Sequence, residues 1–310
     1  MKISVIGAGN VGATAANMIA LKGFAREVVL LDIKPGFAEG KAMDMMQTAH
    51  MLGIDTRITG ITGDYTQTAD SSIVIITSGL ARRPGMTREE LVGKNARIVK
   101  DVMDSCLQYS PEAIFIIVSN PADTLTYLAI KGSGLPRNRI IGMSGLLDSS
   151  RFIYFLSQAL SCNPNDVNGM VIGVHGDLMV PLVRLASCQG RPVTELLNKE
   201  QLSKIVEDTK LGGGTLTKLL GTSAWYAPGT SIAAMAEAIA LDSRRIISCI
   251  TYLDGEYQEK DVCAAVPVVL GKTGIQKIVE LPLTADEAAD FLKSTAKSHK
   301  VNQQLDSCLK

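Results

Sequence analysis

The segment Gly7-Ala8-Gly9-Asn10-Val11-Gly12 constrains this chain most. It follows an apolar run, residues 2–6 (KISVI), and opens a helical pattern over 10–22. Between a strand and a helix, each glycine of G-x-G-x-x-G has its own task. Gly7 permits the tight turn, Gly9 lets a pyrophosphate approach the backbone, and Gly12 lets helix and strand pack closely. Asn10 and Val11 start the helix, whose unpaired N–H groups face the anion. A glycine turn without a ligand is the plain alternative, and Asp32 argues against it. Asp32 stands 20 residues beyond Gly12, at the end of the apolar run 27–31 (EVVLL). A carboxylate there accepts the ribose hydroxyls of an adenosine and repels a 2′-phosphate, so the pattern points to NAD rather than NADP.

Further apolar runs follow at 57–61, 73–77 (IVIIT), 114–119 (IFIIVS) and 139–142 (RIIG). They are continuous rather than alternating, which fits strands buried on both faces of a parallel sheet. With helices between them, this is the doubly wound α/β pattern of a Rossmann fold. The alternation ends near 142–147. The expected division is a NAD-binding Rossmann domain over 1–145 and an α+β substrate-binding, catalytic domain over 146–310. In the second part, 149–160 reads as a helix and Val167–Val174 as a strand broken by glycines. Helices are expected near 199–220 and 223–241, the latter kinked at Pro228. The runs 246–252 and 264–270 are expected to pair as strands. Thr284 and Glu287 form a capping box for a last helix reaching about 305.

Charge excludes several partners. The chain has 31 basic and 31 acidic residues, with 15 and 14 of them in residues 1–150. Neither half has the surplus that a nucleic-acid face requires. No two of the six cysteines are closer than 14 residues, so no zinc-ribbon spacing exists. Free thiols in a reducing compartment are expected. The uncharged stretch between Lys2 and Lys22 is interrupted by Gly7, Gly9, Asn10, Gly12, Thr14 and Asn17, unlike a secretion signal. No apolar run approaches the length of a membrane span. A cytoplasmic protein with no nucleic-acid or membrane partner is expected.

Three further features carry chemistry. Arg82, Arg83 and Arg88 lie in a Pro-Gly-punctuated segment after the fourth strand, where loops face the ligand crevice. They suit an anion, and Thr87 with Glu90 would cap the helix that follows. His175 sits between Val174 and Gly176 after an apolar strand, a setting for proton transfer. His50 and His299 read as surface residues. Asp148 and Arg151, three apart, share a helix face.

In order, G-A-G-N-V-G, Asp32, the arginine segment, Ser119-Asn120-Pro121, Leu147–Arg151 (LDSSR) and His175-Gly176-Asp177 resemble the lactate/malate dehydrogenase superfamily. Within it they are most similar to the lactate-dehydrogenase-like malate enzymes. The resemblance runs nearly end to end. It implies that His175 exchanges the proton, that Asp148 holds its imidazolium, and that Arg151 clamps the carboxylate beside the reacting carbon. Arg88 would polarise the carbonyl and Asn120 would bond near the reacting oxygen. Arg82 would meet a second carboxylate, hence malate and oxaloacetate, where lactate enzymes commonly carry glutamine. Asn95, Val118 and Asn120 would join the NAD contacts. The resemblance also implies a homodimer or homotetramer, and no metal.

Two departures stand out. Val174 replaces a common glycine, which would be costly if that position needed φ > 0. Ala81 stands where proline is usual. The rival activities are a lactate or other 2-hydroxy-acid dehydrogenase, an NAD-dependent glycoside hydrolase, and a catalytically silent NAD-binding protein. The alanines over 223–241 would allow a close helix contact, within the core or between subunits.

Overall fold

The computed structural model describes residues 1–80 and 88–305. Six parallel strands form the first half: β1 (Lys2–Ile6), β2 (Glu27–Asp32), β3 (Arg57–Thr62), β4 (Ile73–Ile76), β5 (Ile114–Ile117) and β6 (Ile140–Gly142). Their order in the sheet is β6-β5-β4-β1-β2-β3, the doubly wound arrangement. The continuous apolar runs are explained by two cores. Ile73 and Ile75 of β4 enter one, and Val74 and Ile76 enter the other. The helices between are α1 (Asn10–Lys22), α2 (Phe37–Gln47), α3 (Ala49–Leu52), α4 (Arg88–Tyr109) and α5 (Ala122–Ser133).

The second half adds α6 (Gly145–Leu160) and short strands β7 (Val167–Asn168), β8 (Val171–Ile172), β9 (Val180–Pro181), β10 (Ser187–Cys188) and β11 (Arg191–Pro192). After α7 (Val193–Leu196), α8 (Lys199–Leu220) and α9 (Tyr226–Ala240) come β12 (Arg245–Asp254), β13 (Lys260–Gly271), β14 (Gly274–Ile278) and α10 (Ala285–Leu305). Strands β12–β14 form an antiparallel meander that joins β6 through Ile250 and Gly142, extending the sheet to nine strands. A side chain at Gly142 would press into Ile250, so glycine permits this join.

Several expectations need correction. The single strand over 167–174 is two, β7 and β8, in different small sheets. Gly169 lies between them, where a Cβ would stand 2.9 Å from the Phe152 ring. The helix at 223–241 begins only at Tyr226, so Pro228 lies in its first turn, where no intrahelical N–H bond is lost. The small-residue stripe is internal core: Ala233, Ala236 and Ala238 are buried, and Gly229 lets α9 approach Thr14 of α1. His299 is no bystander: its Nε2 lies 2.9 Å from Glu259, which also accepts from Thr295. The thiols of Cys162 and Cys188 lie 3.6 Å apart, unpaired covalently, although 26 residues separate them. The Thr284–Glu287 capping box is present. Among the described residues no helix is long and apolar enough to cross a membrane.

Candidate active site

Each glycine of the first loop has a visible reason. Gly7 has φ 107°, and a Cβ there would lie 2.8 Å from Ser78 N and Thr77 Oγ1. A Cβ on Gly12 would run into the Gly7 carbonyl oxygen and come within 2.7 Å of Thr77 Oγ1. At Gly9 the same test meets nothing within 4 Å. Gly9 is also the N-cap of α1 and makes no side-chain cap bond. The open ground for a pyrophosphate is therefore at Gly9, with Asn10 and Val11 beginning the helix behind it.

Asp32 closes the edge of this loop. Its Oδ2 accepts from Ala8 N–H at 2.7 Å and its Oδ1 from Lys34 N–H at 2.9 Å. A carboxylate offers about four lone-pair directions, so acceptor capacity is left for ribose hydroxyls.

The neighbouring strand ends are tied by Asn95 of α4. Its Oδ1 accepts from Leu80 N–H at 2.8 Å, and its amide donates to Leu80 O and Asn120 O. Asn95 is buried with its amide taken up by these loops. Asn95 thus fixes the placement of both strand ends. Val118 is half-buried at the end of β5, and Asn120 is exposed just before the cis Asn120–Pro121 peptide.

Asp148, Arg151 and His175 come together from two elements. Asp148 lies in the first turn of α6, 2% exposed, with Arg151 one turn later. His175 arrives on the loop after β8. Its Nδ1 is 2.8 Å from Asp148 Oδ2, while Arg151 Nη1 donates to Asp148 Oδ1 at 3.1 Å. One buried carboxylate is thus shared between a ring and a guanidinium. Withdrawal from water disfavours the charged ring. The Asp148 charge and hydrogen bond, aided by Asp123, outweigh that and the repulsion from Arg151, so the His175 pKa lies above the usual 6.5.

Val174 carries no left-handed backbone strain, which falls on its neighbours instead: Gly173 has φ 93° and Gly176 φ 113°.

Two features escaped the sequence reading. Asp123 of α5 is buried and accepts from His175 N–H at 3.0 Å. It follows Asn120-Pro121 by two residues and looked like an ordinary helix-start acid. The run Gly212-Gly213-Gly214 inside α8 borders Arg151: a Cβ on Gly213 would be 3.6 Å from Nη1 and Nη2. Glycine leaves that face of the guanidinium open. Arg82, Arg83 and Ala81, with Thr87, lie outside the described residues, and Arg88 opens α4.

Two family models match the chain. Residues 1–142 match the family model of the lactate/malate dehydrogenase NAD binding domain, and 146–305 that of the lactate/malate dehydrogenase alpha/beta C-terminal domain. A malate dehydrogenase of Bacteroides fragilis is 60% identical over 98% of this chain and 97% of its own. The structure of malate dehydrogenase from Salinibacter ruber superimposes with a TM-score of 0.95 at 44% identity, covering 100% of both chains. A lactate dehydrogenase from Cryptosporidium parvum, complexed with lactic acid and nicotinamide adenine dinucleotide, gives 0.94 at 36% identity over 98% of each.

Proposed function

The chain belongs to the lactate/malate dehydrogenase family, and from that premise we propose that it is an NAD-dependent malate dehydrogenase interconverting (S)-malate and oxaloacetate. The observation that carries the dehydrogenase chemistry of this reading is the Asp148 carboxylate bridging His175 and Arg151; the choice of malate rests on the relatives. The bridge supports reading His175 as the proton-exchanging ring and Arg151 as the carboxylate clamp, the pair that oxidation of a 2-hydroxy acid requires.

When bound, NAD supplies the hydride acceptor, and NADH the donor. Gly7, Gly9, Asn10, Val11 and Gly12 receive its pyrophosphate, Asp32 its ribose, and the strand ends at Val118 and Asn120, framed by Asn95, the remainder. Arg151 fixes the carboxylate next to the reacting carbon with its planar fork. His175 gives its proton to the carbonyl oxygen during reduction and takes it back during oxidation. General acid–base help of this kind contributes about 10²–10⁴ in rate. Asp148 holds the ring through Nδ1, so Nε2 is the nitrogen that exchanges the proton. Asn120 and Arg88 serve the reacting oxygen, and Arg82 the far carboxylate.

A lactate dehydrogenase would share this relay, and the likeness to the Cryptosporidium parvum enzyme keeps it as the second reading. Arg82 decides between them, because pyruvate has no second carboxylate to pair with it. The reading includes a division into cofactor and substrate domains at 145/146. It also includes assembly into a homodimer or homotetramer in the cytoplasm, as the family resemblance implies. Following NADH consumption with oxaloacetate and with pyruvate tests the substrate. Preferential use of oxaloacetate supports the reading, and preference for pyruvate makes the protein a lactate dehydrogenase.

A further inference from the structure

Two consecutive backbone N–H groups hold the His175 loop. Val174 donates to Ser294 Oγ of α10 at 2.8 Å, and His175 donates to Asp123 Oδ2 of α5 at 3.0 Å. Asp123 is 4% exposed, and its Oδ1 is buried without a hydrogen-bond partner among the described residues. Burying a carboxylate is costly unless its charge is compensated. Asparagine would accept the same N–H at lower cost, so the charge needs a reason of its own.

That reason lies in the groups facing it. The β8–β9 loop presents His175, α6 presents Asp148, with Arg151 acting on the ring rather than on Asp123, and β13 presents the buried Cys263 thiol. Asp148 by itself is a divided counter-ion, because its Oδ1 is already bonded to Arg151. With the ring protonated and both acids ionised, His175, Arg151, Asp148 and Asp123 sum to zero. Without the Asp123 charge, a net positive charge would be buried. The N-terminal turn of α5 also favours a negative charge at Asp123.

We propose that Asp123 is a positioning residue for the catalytic imidazole: it anchors His175 through the backbone N–H and, beside Asp148, supplies the second negative charge that favours the protonated ring. The inference rests on reading His175 as the proton relay. Burial pushes the Asp123 carboxyl up to about 7, so the charge it lends the ring grows in as pH rises through that value.

The test uses the full-length enzyme with Asp123→Asn, which keeps an acceptor and removes the charge. The chain has only three histidines, so ¹⁵N-histidine labelling follows the ring of His175 directly. Its pKa is expected to fall by about one unit or more. The alkaline limb of kcat/KM for oxaloacetate reduction should move down with it, with NADH affinity unchanged. Asp123→Glu keeps the charge and displaces the oxygen, and it should lower kcat by roughly tenfold or more while leaving the limb in place. Ser294→Ala removes the neighbouring anchor without touching charge, and should also leave the limb in place. An unmoved His175 titration in Asp123→Asn overturns the proposal, as does an equal shift in Ser294→Ala or wild-type kcat in Asp123→Glu. If Asp123→Asn does not fold, Asp123→Glu decides by the same kcat criterion. If the titration moves as expected but His175→Asn retains turnover, the proton-relay reading fails and the charge coupling stands.

Discussion

The Nδ1 atom of His175 lies 2.8 Å from Oδ2 of Asp148, an acid only 2% exposed on a different element. This bond fixes which ring nitrogen faces the substrate and favours the ring's charged form. Asp148→Asn keeps the shape and removes the charge. It should lower kcat by about 10²–10⁴, by analogy with other acid–histidine pairs, and leave the Kd for NADH unchanged. Stopped-flow binding beside steady-state turnover separates the two effects. Wild-type turnover would mean the bond has no part in proton transfer.

The raised pKa values set a pH dependence of stability. The folded His175 holds its proton more tightly than the unfolded ring, so its contribution is complete below about 6.5 and is lost as pH rises through the higher folded value. Asp123 acts in the same sense over a lower window: burial raises its carboxyl, so its contribution is complete below about 3.8 and is lost as pH rises from there to about 7, above which the carboxyl is ionised in the fold as well. Thermal midpoints should therefore decline as pH rises from about 4 to beyond 6.5, and the decline above 6.5 should be less steep in His175→Asn. Parallel curves for the two proteins would contradict the assignment.

The glycine loop gives a paired prediction. Gly12→Ala drives a methyl group into the Gly7 carbonyl, and should cost roughly 1–3 kcal/mol of stability or more. Gly9→Ala meets no protein atom within 4 Å and occupies a backbone conformation open to alanine, φ −61°. It should keep its thermal midpoint and lose NADH affinity. Calorimetry and fluorescence titration read the two effects. Loss of stability without loss of binding at Gly9 would place the pyrophosphate elsewhere.

Substrate choice turns on Arg82. Arg82→Gln should reduce kcat/KM for oxaloacetate relative to pyruvate by about 10²-fold, the loss of one charge-assisted pair. An unchanged ratio would show that another residue selects the substrate.

Sequence and structure agree where short-range chemistry decides. The continuous apolar runs announced strands buried on both faces, and Gly7 and Gly12 announced a tight strand-to-helix turn because a side chain at either would collide with its neighbours. Pairings across the chain were less legible. Asp148 and His175 are 27 residues apart, and family resemblance rather than spacing joined them. Asp123 was invisible because an acid in a helix's first turn is ordinary, and only tertiary packing buries it under His175. Pro228 misled because a proline breaks a helix interior but suits a first turn, and the register of α9 was set by its packing on α1. The split at Gly169 follows from the Phe152 ring, which arrives from α6.

The most direct test is His175→Asn, with NADH binding and oxaloacetate reduction measured on the same preparation. The expected result is wild-type NADH affinity with kcat reduced by at least about 10²-fold. Turnover near wild type, with NADH still bound, would contradict the assignment of His175 as the group that exchanges the proton.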